Sequence, residues 1–136
     1  MLSYKHGYHA GNQADVLKHI CLIQAYKSLK KHHKSISYID THAGSGDYNF
    51  KSDYMSKNKE YENGISKLEN YKYENQSIKF YLKVLRNINN SKKMTFYPGS
   101  PSIMSHLSDS SDKLLFYELH NNEVKLLRKH LAKQIN

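Results

Sequence analysis

Two segments of this chain read as strands, and each runs out on a carboxylate. KSISYIDT (34–41) carries Ile36, Tyr38 and Ile39 up to Asp40, and KLLFYEL (113–119) carries Leu114, Leu115 and Phe116 up to Glu118. Short apolar runs bounded by turn residues are the mark of buried strands. Helical patterns lie before, between and after them, so the order predicts an α/β fold with parallel strands. A doubly wound sheet needs several strands with both faces covered. The pattern therefore reads as the opening part of such a fold, cut off in the middle.

The helical pieces are legible in the same way. Apolar positions Val16, Leu17, Ile20, Ile23, Tyr26 and Leu29 recur at three and four over residues 13–33, after an N-cap at Asn12 and with Asp15 in the first turn. Residues 51–93 are polar and rich in Lys and Asn. Their helical spacing is visible over 64–71 and clearer at Ile78, Tyr81, Leu82, Leu85 and Ile88, which predicts a helical insertion. A short apolar run at 94–97 leads into PGSP (98–101) and a short helix to Leu107. Asn121 or Asn122 caps a last helix through Gln134, with Val124, Leu127 and Leu131 on one face. The domain reading is thus one α/β unit made of residues 1–50 and 94–136, interrupted by an insertion at 51–93.

Composition bounds the function. A chain of 136 residues makes one domain with one core. The formal charge of +9 favours polyanionic partners, nucleic acid first, although 19 of the 21 basic residues are Lys and 12 residues are Asn, as an AT-rich coding sequence produces. Cys21 stands alone, so there is no disulfide framework and no CxxC metal knuckle. His6 and His9 form HxxH and His32 and His33 are adjacent, but no Cys or carboxylate completes a zinc pattern, and no metal is expected. Neither a signal peptide nor a membrane span is legible, so a cytoplasmic location with no membrane partner is expected.

The first strand runs into DTHAGSGDY (40–48). A strand, a Gly-x-Gly turn at Gly44 and Gly46, and a second strand ending in an acid make the layout of a nucleoside-cofactor site: glycines let the backbone approach the ligand, and the acid accepts from ribose hydroxyls. Asp40 and Glu118 fit the strand-end positions, though the separation exceeds the usual ~20 residues because the insertion intervenes. No GxxxxGK[ST] string exists, which favours a nucleoside cofactor without a phosphate chain, S-adenosylmethionine, over nucleotides. His19, on the first helix, and His42, at the strand end, could converge on one mouth, although spacing alone makes His19 a core or surface residue. Ser100 reads first as part of a rigid turn, and alternatively as a hydroxyl holding a carboxylate at a helix start. Tyr4, Lys5, His6 and Tyr8 form an aromatic and basic tail suited to stacking on unpaired bases.

Taken together, YKHGYHAGNQADVLKH (4–19), DTHAGSGDY (40–48), YPGSP (97–101) and LLFYELH (114–120) resemble, in order and spacing, the N-terminal half of the bacterial RlmJ family. Those enzymes transfer a methyl group from S-adenosylmethionine to the exocyclic N6 of an adenine in 23S ribosomal RNA. The resemblance implies a Rossmann-like methyltransferase fold with a helical insertion, truncated before its later strands. It implies that His19, His42 and Ser100 meet the methionine end of the cofactor, that Glu118 takes the ribose hydroxyls, and that Tyr4 meets the RNA. Lys18 is a lesser candidate near the cofactor carboxylate. Adenine-N6 methyltransferases use an Asp/Asn-Pro-Pro-aromatic motif to orient the amine and stack the flipped base. The two prolines here, Pro98 and Pro101, are not adjacent. No catalytic residue is therefore assigned, and the chain alone is expected not to methylate RNA. A non-catalytic basic RNA-binding fragment is the alternative.

Overall fold

A computed structural model describes residues 5–132. After a short 3-10 turn at His6–Tyr8, the order is α1 (Gln13–Lys30), β1 (Ser37–Asp40), β2 (Asp47–Asn49), α2 (Asp53–Asn58), a second 3-10 turn (Glu60–Asn63), α3 (Ile65–Glu69), α4 (Gln76–Asn89), β3 (Phe96–Pro98), α5 (Ser100–Leu107), β4 (Lys113–Phe116) and α6 (Asn121–Ala132). The fold is mixed α/β. β1 and β4 pair in parallel, with Ser37 opposite Lys113 and Asp40 opposite Phe116. β2 and β3, which the sequence did not announce as a pair, form a separate antiparallel ladder with Tyr48 opposite Tyr97.

α1 starts where the sequence places it, because Asn12 accepts from the Asp15 N–H while Asp15 reaches back to the Gly11 N–H. This is the reciprocal logic of a capping box, with Asp in place of Glu. The helix ends at Lys30, three residues short of the expected 33, and Lys31 caps it through the Ser28 and Leu29 carbonyls. Its predicted apolar stripe is only partly the buried one. Val16, Ile23 and Tyr26 are buried, while Leu17 and Leu29 face out and Asp15 and His19 are buried in their place.

The first strand is not buried as the sequence suggested. Its residues alternate between exposed and half-buried, and Ile39 is 56% exposed. A strand needs neighbours on both sides and cover on both faces to disappear from solvent. Among the described residues β1 has only β4 beside it.

The core gathers where α1, β3 and α5 pack against α4. Ile23, Met55, Ile65, Tyr81, Leu85, Tyr97 and Ile103 are essentially inaccessible and belong to one cluster. The helices of the 51–93 region thus meet α1, β3 and α5 within a single core. Gly64 seals the junction: a Cβ there would collide with the Gly11 carbonyl oxygen, and the neighbouring Ile65 N–H donates to that oxygen at 2.9 Å. α6 is tied back to the glycine turn by His130 Nδ1, 2.6 Å from the Ser45 carbonyl oxygen.

Candidate functional site

The parallel ladder continues past the last strand residues. Tyr117 donates to the Asp40 carbonyl, and Ala43 donates to the Tyr117 carbonyl. The two strand ends are thereby held side by side, and residues 41–44 and 118–120 beyond them line one shared space. β4 stops at Phe116, so Glu118 sits two residues past the strand rather than on its last position. The space is a cavity of about 450 Å3, within the usual size of small-ligand sites. His19, His42, Ser100 and Glu118 all line it, together with Lys18, and the structure brings these separated positions to one place. Tyr4 lies outside the described residues.

Glu118 is fixed by three N–H groups. Gly44 N donates to Oε2 at 2.8 Å, and His120 contributes its backbone N–H at 2.8 Å and its ring Nδ1 at 3.0 Å to Oε1. Burial pulls the carboxyl pKa upward, and the hydrogen bonds from His120 and Gly44 outweigh it, so the net shift is downward. A carboxylate offers roughly four acceptor sites. About one is left for a ligand hydroxyl without any exchange of partners.

His19 is buried, and its Nδ1 is 2.8 Å from the Tyr97 hydroxyl, which in turn lies 3.0 Å from the Tyr81 hydroxyl. Its ring stacks on Tyr97 with centroids 5.5 Å apart. Burial pushes the His19 pKa down to about 4, so the ring is neutral at physiological pH. The burial of Tyr97 drives its own pKa well up, and both hydroxyls keep their protons. His42 is exposed, with Nδ1 at 2.9 Å from Thr41 Oγ1.

Ser100 opens α5, with Pro101 in the first turn. Its hydroxyl donates to Asp40 Oδ2 at 2.6 Å, and Asp40 also receives the Tyr38 hydroxyl and the His42 backbone N–H. The Asp40 carboxylate does not line the cavity; it positions two residues that do. Gly44 has φ +63°, and a Cβ there would fall on the Tyr48 hydroxyl. Only glycine fits this turn.

Asp15, legible only as a first-turn acid of α1, and His120, legible only within LLFYELH, also line the cavity. Asp15 is 1% exposed and holds His6 Nε2 at 2.7 Å and Lys18 Nζ at 2.9 Å, fastening the segment before α1 to the cavity wall. Burial pushes its pKa up, but the hydrogen bond and charge of His6 and the hydrogen bond from Lys18 more than reverse this. The legible signal was the three-residue spacing from Asn12. His120 was visible only as part of a motif, and its Nε2 is buried without a hydrogen-bond partner. No group of three potential metal ligands exists among the described residues, and no helix there is long and apolar enough to cross a membrane.

A family model described as ribosomal RNA large subunit methyltransferase D, RlmJ, matches residues 33–136. The chain belongs to the RlmJ family. It is 39% identical over 137 residues to ribosomal RNA large subunit methyltransferase J of Haemophilus influenzae, covering 100% of this chain and 49% of that protein. The Escherichia coli protein of the same name is 39% identical over 133 residues, covering 98% and 48%. A crystal structure of protein LPL1258 from Legionella pneumophila matches with a TM-score of 0.79 at 36% identity, covering 89% of this chain and 44% of that one. The chain spans about half the length of the curated RlmJ relatives it matches.

Proposed function

We propose that this chain is the cofactor-binding half of an RlmJ-type methyltransferase that takes S-adenosylmethionine and acts on the N6 of an adenine in 23S ribosomal RNA. The observation that carries the reading is the convergence of His19, His42, Ser100 and Glu118 on one cavity at the ends of two parallel strands. Ligands of open α/β sheets bind at the carboxyl ends of the strands. This placement supports taking β1 and β4 as the first two strands of a Rossmann-like sheet.

The residues fit the cofactor's chemistry. Glu118, ionised and held by three donors, accepts from a ribose hydroxyl. Gly44 lets the ligand lie against main chain, where a side chain would close the turn. Neutral His19 serves a carboxylate as a hydrogen-bonding partner without adding a buried charge. Because the Ser100 hydroxyl gives its proton to Asp40, its lone pairs are available to an ammonium group. His42 and Lys18 complete the polar end of the cavity. When bound, S-adenosylmethionine supplies an electrophilic methyl group on a sulfonium. The Pro-Pro-aromatic motif that orients the acceptor amine does not occur in these 136 residues, so this chain holds the donor and does not by itself carry out the transfer.

Isothermal titration with S-adenosylmethionine tests the reading. Saturable binding is expected, weakened about tenfold by Glu118→Gln as one charge-assisted hydrogen bond is lost. Absence of binding by the folded chain would refute it. Methylation of protein-free 23S ribosomal RNA by the chain alone would refute the division of labour.

A further inference from the structure

The positive charge of the chain is unevenly placed. Residues 66–93 hold seven Lys and Arg against two Glu, so about a fifth of the chain carries +5 of the net +9. Within this stretch lies a groove of about 380 Å3 that shares no lining residue with the cofactor cavity. One wall is the connection between α3 and α4, where Tyr71 is 71% exposed and its ring pairs with Tyr73 at 5.4 Å between centroids. Lys79 and Arg86, two turns apart on α4, face the groove from the other side, and Lys72 stands between the tyrosines. Glu74 also lines it, and its carboxylate, fully exposed, is 3.6 Å from Lys79 Nζ.

Two features mark this as more than a solvated charged face. A large aromatic side chain that could have joined the core is instead left in water beside a second one. Arg86 Nε is buried and has no hydrogen-bond partner among the described residues. Arg86 as a whole lines the groove, and a guanidinium suits a phosphate oxygen in geometry and charge. Exposed aromatic rings offer stacking platforms that tolerate any base. An exposed ring with a second ring tilted against it at 42°, beside a cationic track, suits a single-stranded nucleic acid site.

The geometry points to a second RNA contact here: Tyr71 and Tyr73 stack on an unpaired base while Arg86, Lys79 and Lys72 take the flanking phosphates. This rests on the methyltransferase reading for the choice of RNA as partner. It places a grip on the substrate in the 51–93 region, apart from the cofactor cavity and the N-terminal tail.

Fluorescence anisotropy with a labelled single-stranded RNA of about a dozen nucleotides tests it. The Tyr71→Ala, Tyr73→Ala double variant, altered at one exposed and one half-buried ring outside the core cluster, is expected to bind about tenfold more weakly or worse. Lys79→Gln should lower the slope of log affinity against log salt by about 0.7. Arg86→Lys, which keeps the charge and loses the fork, should weaken binding while leaving thermal stability in place. Wild-type affinity in the tyrosine variant, failure of the wild-type chain to bind RNA, or equal displacement by polyglutamate would each overturn the proposal. S-adenosylmethionine titrated into the same preparations separates the two readings. Intact cofactor binding with unaltered RNA affinity removes the groove alone, whereas loss of both in the folded wild-type chain removes the methyltransferase reading as well.

Discussion

Replacing Asp15 by Ala should do far more damage than its position on an N-terminal helical turn suggests. The carboxylate is 1% exposed and serves three donors: Gly11 N–H at 3.1 Å, His6 Nε2 at 2.7 Å and Lys18 Nζ at 2.9 Å. Truncation strands the Gly11 N–H in the interior, which costs about 1–3 kcal/mol, and removes the His6 contact, worth about 1.5–3 kcal/mol with a charged acceptor. Lys18 is 65% exposed and swings into water at little cost. The total is about 2.5–6 kcal/mol. With an unfolding entropy of about 2.1 cal/mol/K per residue over this chain, the melting temperature should fall by about 9–21 °C. Lys18→Ala, removing only the exposed partner, should cost less than about 1 kcal/mol. Urea titrations followed by circular dichroism at pH 7 compare the two variants directly. Equal losses would refute the argument that Asp15 fastens the segment before α1. The pH dependence has a fixed sign. The folded carboxyl pKa lies below its ordinary value of 3.8, so this contribution is present above that pH and disappears as the pH falls through the lower folded value.

Other expectations follow from the same geometry. His19 refuses a proton in the folded state until about pH 4, whereas an unfolded histidine accepts one near 6.5. Stability should therefore decline as pH falls across that window, by about 3 kcal/mol in total, and His19→Gln should flatten the decline in urea midpoints. Gly44→Ala should cost more than about 2 kcal/mol, combining a left-handed backbone with the collision against Tyr48; adding Tyr48→Phe should recover part of the loss in a thermal melt. Asp112 receives Tyr26, Lys30 and the Ile36 N–H at the end of the sheet away from the cavity. Asp112→Ala should lower the urea midpoint while S-adenosylmethionine affinity, measured on folded protein, stays as in the wild type.

The elements legible in the sequence were those with local causes. Asn12 and the three-four spacing after it announced α1, and the Ile78, Tyr81, Leu82, Leu85, Ile88 series announced α4. Strand character at Tyr38 and Leu114, and parallel pairing, followed from residue type and element order. Non-local causes stayed hidden. Leu17 and Leu29 carry apolar spacing without burial because the core turned toward the 51–93 helices, and β2 is too short to signal itself without β3. At the site, Gly44 and Glu118 were readable because a glycine turn and a strand-end acid are patterns in one dimension. The burial of His19 was not, since Tyr97, 78 residues away, supplies its partner. Ser100 gave a turn and a helix start, but nothing local could show that its proton goes to Asp40.

The outer edges of the parallel pair also act as a coordinate system. No further strand lies beside β1 or β4 among the described residues, and neighbouring strands in any sheet sit about 4.8 Å apart. A parallel strand added next to β1 would deliver its own end one such spacing from Asp40. One added next to β4 would deliver its end at the same distance from the backbone that leads to Glu118. The rim of the cavity thus sets, in single strand widths from Asp40 and from the backbone before Glu118, where the end of any strand pairing there would fall.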